Sequence, residues 1–427
     1  MTPSLEALPV ELVSYIRTFL DLKGILSLRL ASSTLASKLS PHLLAEFFVC
    51  KNVELTLAPL KNMAYMTGRG RAGSLLRDCT IVGVPGIDIS CTPDSDEHVR
   101  LLTEAFINLK QYSPQRSLAT LQLSVGMRKR YRESDDEISE QFARPSRKVT
   151  WETAQRTFDI TMTALRESRL TIGSHLNLFG SLPDCSLVHK AFLPLDQRFV
   201  ATGLFKSLET LTMSLSALYI SQNQTRQGDV SNNSIQGVHG TMLLRSLLEM
   251  SSLMPNLKEF DIHWYNVGAN TSTSFEDRAV NIAATDYPKS ARLRACSLRG
   301  LYAPGSDLLE FLKAIRPGRL SLDDVHLVSE TWAPIFDYLM SSTSPVAICR
   351  FDDIREGDRL VHFDVLGPSK FPYKGVIMGP STLTKSQDNI KDAIHYRTTS
   401  RRPLGSGQRM RWLQSKILEY GPPRGSF

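Results

Sequence analysis

The chain has 427 residues, 42% of them hydrophobic and 22% charged, which is the ordinary composition of a folded, water-soluble protein. No stretch approaches the ~18 apolar residues of a membrane-spanning helix, and Glu6 and Glu11 stand where a secretory signal has basic residues, so we expect neither membrane association nor secretion. The net charge of +7 does not predict specific nucleic-acid binding. Residues 366–427 contain eleven Lys or Arg and three Asp or Glu, which gives this segment a net charge of +8. Residues 1–365 therefore have a net charge of −1, so the basic character belongs to the C-terminal segment.

The first 50 residues predict three short helices. Leu8 and Pro9 begin the first, because proline is tolerated at the first helical position. A break from Asp21 to Gly24 leads to the second, and Ser32 or Ser33 offers an N-cap for the third. Helices this short bury too little apolar area to fold alone, so the segment must pack on the next domain, on a partner, or on both.

This pattern resembles the F-box, a three-helix module with regularly spaced apolar residues. The residues in register, without an insertion, are Leu8-Pro9, Glu11-Leu12, Ile16, Leu20-Asp21, Ile25, Leu28, Leu30 and Leu35. The resemblance implies binding of a Skp-type adaptor, itself docked on a cullin, through apolar side chains that enter a cleft of the adaptor. It implies the following adaptor-binding residues, Leu8 and Pro9 being the most exposed: Leu8, Pro9, Leu12, Ile16, Leu20, Ile25, Leu28 and Leu35. The other interpretation is an amphipathic helical cap on the domain that follows.

Residues 51–365 alternate strand-like and helix-like segments. A loose Leu-x-x-Leu-x-Leu pattern and weaker apolar runs predict strands at residues 53–57, 81–82, 118–123, 170–172, 208–213, 257–262, 293–298, 320–322 and 348–351. Helices are predicted at 241–255, 305–317 and 330–342. From Ile81 to Phe351, successive strands are 24 to 49 residues apart, so each step accommodates one strand-plus-helix unit.

Such units are too small to fold alone, and stacking them buries the strand leucines. We therefore predict a mixed α/β fold, with an F-box-like module at residues 1–50 and an irregular, leucine-rich-repeat-like solenoid at 51–365. The succession of apolar and polar residues at 316–339 resembles the C-terminal repeats of F-box proteins from filamentous fungi. A compact α/β domain is the alternative for this segment.

Three polar segments complete the predicted organisation. Residues 127–149 and 221–240 are expected to be loops that project from the solenoid. Residues 366–427 are expected to form a basic, largely flexible tail, in which residues 408–420 have helical spacing. This helix is expected to cap the last repeat, and the alternative is that it binds a partner.

Signatures of catalysis, metals and cofactors are weak throughout. Gly68, Gly70 and Gly73 match a dinucleotide-site pattern, but too few residues follow Gly73 for a crossover helix, so we expect a flexible loop and no cofactor. Cys185 and His189 have metal-like spacing without a second pair, so we expect no metal. The six cysteines form no CxxC pair, which predicts reduced thiols in the cytoplasm or nucleus.

The paired acids Asp323-Asp324 and Asp352-Asp353 each follow a predicted strand, and we interpret them as turn residues rather than as a general acid and base. No nucleophile elbow is present. We therefore predict a non-catalytic protein. By resemblance, it is the substrate-recognition subunit of an SCF-type cullin-RING ubiquitin ligase and binds an unknown target protein through the solenoid. The alternatives are a scaffold that acts without ubiquitin ligation, and an enzyme with an unrecognised site in a closed pocket.

Overall fold

The chain folds as a mixed α/β protein with two β-sheets. The computed structural model describes residues 5–39, 48–69, 72–85, 94–126, 147–180, 182, 185–188, 203–216, 240–241, 243–248, 254–265, 292–370, 377–386, 389–399 and 406–420. Within these ranges, no helix combines the length and the apolar composition needed to cross a membrane.

The larger sheet contains eleven strands, numbered here in chain order across both sheets. They are β1 Cys50–Glu54, β2 Asp78–Gly83, β3 Ser117–Val125, β4 Thr171–Leu178, β5 Leu187–Val188, β6 Thr210–Ser216, β7 Glu259–Tyr265, β8 Ala295–Arg299, β10 Arg319–Asp323, β12 Ile348–Asp352 and β15 Thr382–Ser386. Their order in the sheet follows the chain, and all pairs are parallel except that of β12 with the edge strand β15. Each of the nine predicted strands overlaps one of these, which confirms the strand prediction.

The smaller sheet contains the strands β9 Tyr302–Ala303, β11 His326–Leu327, β13 Arg355–Glu356, β14 Arg359–Phe363 and β16 Tyr396–Thr399. Here β9, β11 and β13 are parallel, whereas β14 and β16 are antiparallel. A tight turn joins the sheets after β8, β10 and β12, at Gly300 (φ 73°), Asp324 (φ 51°) and Asp353 (φ 52°). Glycine and aspartate are among the residues that adopt this left-handed conformation most readily, which explains the second acid of each predicted pair.

The helices are α1 Val10–Arg17, α2 Leu22–Ala31, α3 Ser33–Lys38, α4 Leu57–Thr67, α5 Asp94–Tyr112, α6 Arg147–Ser168, α7 Gly305–Ile315, α8 Ala333–Met340 and α9 Ser406–Tyr420. Those predicted at 305–317, 330–342 and 408–420 correspond to α7, α8 and α9. Of the helix predicted at 241–255, the described residues 241 and 243–248 are helical, whereas 254 and 255 are not. Residues 147–149 of the first predicted loop belong to α6, and residues 127–146 lie outside the described residues. Of the second predicted loop, only Gly240 is described, and it is helical.

Alternate strand residues build a continuous hydrophobic core along the larger sheet. One row in register across seven strands consists of Leu121, Leu176, Leu211, Phe260, Cys296, Leu320 and Cys349, all buried. Each buried leucine stabilises the fold by roughly 2 kcal/mol relative to leaving it in water. The described helices α4 to α8 contribute to the same core, whose buried residues run from Val53 to Ile390.

The prediction that residues 366–427 form a largely flexible tail is corrected by the structure, because two stretches of this segment are β-strands. β15 closes the larger sheet beside β12, and β16 closes the smaller sheet beside β14. In β15 only Leu383 is a large apolar residue, so hydrophobic periodicity gives no strand signal there. The edge of β12 is therefore covered by β15.

The expectation of a flexible loop around Gly73 is also corrected by the structure. It is buried in the short 3-10 turn Ala72–Leu75, which follows α4. A Cβ at this position would lie 2.5 Å from the carbonyl oxygen of Met66. The glycine is thus required because the turn packs directly against the helix backbone.

Candidate functional site

The N-terminal helices α1, α2 and α3 have a small core that is separate from that of the sheets. Val13, Leu35 and Leu39 are buried in it, and Leu8 and Leu28 pack against them half-buried. With Ile25, which is buried outside this cluster, four buried apolar side chains give the described part of the module little stability of its own.

Polar contacts at the helix ends fix the arrangement of this module. The Asp21 side chain accepts a hydrogen bond of 2.7 Å from Gly24 N and caps α2, and Ser32 caps α3, as the sequence predicts. Lys38 Nζ donates to the carbonyl oxygens of Glu6 (2.6 Å) and Leu8 (2.8 Å) and thereby ties α3 to the start of the module. Two details differ from prediction, since Pro9 is the N-cap of α1 and Gly24 lies inside α2 rather than in the turn.

The structure divides the eight predicted adaptor-binding residues into three groups. Pro9 and Leu12 are exposed, and Ile25 and Leu35 are buried. The half-buried group comprises Leu8, Ile16, Leu20 and Leu28. In this conformation Ile25 and Leu35 therefore serve packing within the chain, because neither presents surface to a partner.

Exposed apolar residues are concentrated in this module. Fourteen large hydrophobic residues are exposed in the described part of the chain. Six of them lie between residues 5 and 30: Leu5, Val10, Leu12, Tyr15, Phe19 and Leu30. Tyr15 and Phe19 pack edge to face with ring centroids 5.3 Å apart. Apolar patches of this kind mark surfaces that bind another protein. The predicted adaptor-binding residues do not include Val10, Tyr15 or Phe19, although Tyr15 is three residues from Leu12 and therefore shares a face of α1 with it.

A second candidate surface lies on the polar face of the larger sheet. Strand residues that alternate with the core residues form a row across six strands: Ser214, His263, Arg299, Asp323, Asp352 and Thr382. Arg299 Nη2 contacts both carboxylate oxygens of Asp261, at 3.1 and 3.2 Å. The end of the row at Asp323 and Asp352 is acidic, and Asp353 follows it directly.

Asp353 is fully buried, and four side chains contact its carboxylate. Ser381 Oγ donates to Oδ1 at 2.7 Å, and Lys370 Nζ lies 2.9 Å from the same oxygen. Trp412 Nε1 donates to Oδ2 at 3.1 Å, and Lys416 Nζ lies 3.4 Å from it. Burial alone would raise the pKa of Asp353, but Lys416 and Lys370 outweigh burial and hold this pKa below its ordinary value.

The two lysines also contact the other aspartates. Lys370 Nζ lies 2.5 Å from Asp352 Oδ1, and Lys416 Nζ lies 3.3 Å from Asp323 Oδ1. Burial opposes the charge on Lys416, but the surrounding carboxylates, Asp324 first, raise its pKa above the ordinary value. Asp323, Asp352 and Asp353 thus form a network of ion pairs with Lys370 and with Lys416 of α9. We call the three aspartates and Lys370, which all precede α9 in the chain, the aspartate corner.

Helix α9 lies over this corner and extends along the polar row to β7. Trp412 stacks under Arg355, whose Cζ is 5.4 Å from the ring centroid. His263 on β7 is buried and hydrogen-bonds to the backbone of Glu419. Burial, assisted by Arg299, lowers the pKa of His263 to about 4, so this histidine is neutral at pH 7.

The sequence predicted the helix at 408–420 but none of these contacts. Trp412 and Lys416 are four residues apart and therefore share a face of α9, which is the one signal that reasoning from spacing could have used. Their aspartate partners lie 59 to 93 positions away in the chain, and no local pattern encodes that distance.

Acidic side chains also line a groove in the described part of the chain. No group of three or more His, Cys, Asp or Glu is placed among the described residues to hold a metal ion. A groove of about 560 Å³ is lined by residues 327–331 and 356–359, where Glu330, Glu356 and Asp358 lie without a histidine or a cysteine. Comparison of the chain with protein-family models and with curated proteins finds no match.

Proposed function

We propose that this protein is the substrate-recognition subunit of an SCF-type cullin-RING ubiquitin ligase. In this proposal the N-terminal module is an F-box that binds a Skp-type adaptor, and through it a cullin. The sheets form a leucine-rich-repeat-like solenoid that binds a target protein. The protein itself carries out no bond chemistry and holds the target near the ubiquitin-charged enzyme, which raises the effective concentration of the target.

The observation that carries the proposal is the exposed apolar surface around Leu12. Half-buried Leu8 and exposed Pro9 lie at its edge, where the resemblance to the F-box expects contacts. A module with so small a core gains stability if a partner covers this surface, because binding to the folded form alone stabilises it by mass action.

The strand order supports the second half of the proposal. β8 and β10 each pair with the next core strand along the chain, and each is followed by a turn, a short strand of the smaller sheet and a helix, a succession that favours stacked repeats. The polar row lies on the face of the sheet opposite the core row, and α9 covers part of it. Charged rows of this kind suit the recognition of a protein with complementary charge.

The test is co-purification of a Skp-type adaptor and a cullin with the full chain. Leu8→Asp combined with Pro9→Ala should weaken adaptor binding by about thirtyfold or more, since an interface anchor contributes ~2 kcal/mol. Leu366→Asp is the matched control, because it places the same charge on a fully exposed leucine outside the module. The circular dichroism spectrum should be unchanged in both variants.

The outcomes separate the proposal from its alternative. Adaptor and cullin that are both lost in the double variant support a ligase subunit. Adaptor without cullin supports the scaffold, which acts by protein–protein interaction and without ubiquitin ligation. Adaptor binding that survives the double variant contradicts the assignment of the module as an F-box.

A further inference from the structure

Helix α9 is held to the sheet by polar contacts rather than by burial. Among its side chains that the structure describes, none is buried, and Trp412, Leu413, Lys416 and Ile417 are half-buried. The main hydrophobic cluster includes Ile390, Ile394 and Tyr396 from the preceding segment, but its described members include no residue of α9. The helix therefore lies on a finished surface instead of completing the core.

The surface under α9 is organised by residues that precede the helix. Ser381 and Lys370 already hold Asp353, and Lys370 also contacts Asp352. The register of β10 with β12 aligns Asp323 with Asp352. The aspartate corner thus presents carboxylates at fixed positions to whatever helix lies on it, since their arrangement depends on the sheet.

We propose that α9 is an exchangeable strap that occupies, in cis, the surface where a lysine-bearing helix of a target protein docks. This inference rests on the proposed function for the identity of the target, but the exchange itself does not depend on it. The occupant is defined by the contacts of α9: an aromatic N–H donor for Asp353 Oδ2, and a lysine one helical turn later for Asp323 and Asp353.

The charges agree with such an occupant. The sequence of α9 contains three basic residues, Arg409, Arg411 and Lys416, and one acidic residue, Glu419. The helix is therefore basic, whereas the aspartate corner is acidic. A target helix with the same aromatic-lysine spacing makes the same contacts and displaces the strap. A segment with acidic residues at those positions is repelled.

The energetics make exchange feasible at moderate cost. A helix of about fifteen residues is marginal on its own in water, so α9 orders when it docks and loses order when it leaves. The described polar contacts of α9 with the aspartates are made by two side chains, Trp412 and Lys416. Local opening of α9 therefore requires far less free energy than unfolding of the sheet.

The first experiment measures binding of a labelled peptide with the sequence of residues 406–420 to the purified full-length chain by fluorescence anisotropy. The chain is wild type or carries Trp412→Ala with Lys416→Glu, which weakens the strap and leaves the aspartate corner intact. We expect at least tenfold tighter binding to the variant. A peptide with Lys416→Glu should not bind, whereas a peptide with Arg411→Glu should bind as well as the unmodified peptide, because Arg411 is exposed.

Equal affinity for both chains, or no saturable binding to the variant, would overturn the proposal. The second experiment uses only the wild-type chain and so does not depend on folding of the variant. In hydrogen exchange, the amides of α9 should exchange at least a hundredfold faster than those of β10 and β12. Equal protection would mean that α9 is a permanent part of the fold. Both experiments omit the adaptor, so a failed F-box assignment leaves their outcome unaffected.

Discussion

Lys416 lies 3.4 Å from the buried carboxylate of Asp353, although 63 positions of the chain separate them. The contact joins the last described helix to the turn that follows β12. Because Asp353 has no exposed surface, its charge depends on Lys416 and Lys370 for compensation. The position of α9 and the stability of the C-terminal strands are therefore coupled.

Asp353→Asn should destabilise the protein by about 3 kcal/mol, because removing one partner of a buried ion pair leaves the other uncompensated. Thermal or urea unfolding at pH 7 measures the loss. Asp358→Asn, on an exposed turn, is the control and should stay within about 0.5 kcal/mol of wild type. Since the pKa of Asp353 is lowered in the fold, its contribution is present above pH 3.8 and is lost as the pH falls through the folded-state pKa. The free energies of unfolding of the wild type and of Asp353→Asn should therefore converge as the pH falls.

Acidification should destabilise the wild-type chain through His263. Its pKa is about 4 in the fold and 6.5 in the unfolded chain, so its contribution is complete above pH 6.5 and declines as the pH falls towards 4. The loss between pH 7 and pH 5 is about 2 kcal/mol. Arg299 opposes protonation, whereas Asp261 and the backbone of Glu419 favour it. His263→Gln should reduce the loss of stability between pH 7 and pH 5. An NMR titration that gave a pKa near 6.5 for His263 in the folded protein would contradict this prediction.

Gly73→Ala should destabilise the fold by about 1–3 kcal/mol. The new methyl group would lie 2.5 Å from the carbonyl oxygen of Met66, so either α4 or the turn must shift. Gly407→Ala makes the same change where no atom lies within 4 Å. This control should be neutral or slightly stabilising, because alanine favours a helix more than glycine does. Equal melting temperatures for the two variants would show that the turn does not pack as described.

Leu12 and Val13 are adjacent but should respond differently to truncation. Val13→Ala removes part of the three-residue core of the module and should cost about 1–2 kcal/mol there, seen as faster hydrogen exchange in α1 and α3. Leu12→Ala should leave that exchange unchanged, because about half of Leu12 is exposed. Loss of protection in the Leu12 variant would mean that the exposed surface belongs to the core.

Cysteine labelling under native conditions should separate Cys50 from the other described cysteines. Cys50 is exposed, whereas Cys79, Cys185, Cys296 and Cys349 are buried, and none of the five forms a disulfide. Burial raises the pKa of Cys79 to about 12 and that of Cys349 to about 11, so few thiolates are available there. Peptide mapping should find Cys50 modified first and the four buried thiols only after unfolding.

Nine of the eleven described strands of the larger sheet could be predicted because apolar residues alternate along them, whereas β5 and β15 were missed. The pattern around Leu121 and Leu320 is strong enough for this purpose. The helices α5 and α6 were missed, since charged and polar residues interrupt their apolar stripes. The two-residue strands of the smaller sheet were also missed, because so short an element has no periodicity.

The candidate sites were predictable to different degrees. The exposed residues Pro9 and Leu12 were named because the N-terminal pattern resembles the F-box, which implies contacts at these positions. The burial of Ile25 and Leu35 could not be predicted, since spacing does not reveal which part of an apolar face is covered. The aspartate pairs were visible, but their lysine and tryptophan partners come from distant positions that only the fold brings together.

The turns at Gly300, Asp324 and Asp353 occupy equivalent positions, yet 24 residues separate the first two and 29 the last two. The register of β8, β10 and β12 is nevertheless regular, because the extra residues are accommodated in the connections around α8. Insertions and deletions in these connections should therefore be tolerated without displacing a strand. Related chains can then differ in length at many sites and still share one sheet, so comparison by aligned strands should detect kinship that overall sequence identity misses.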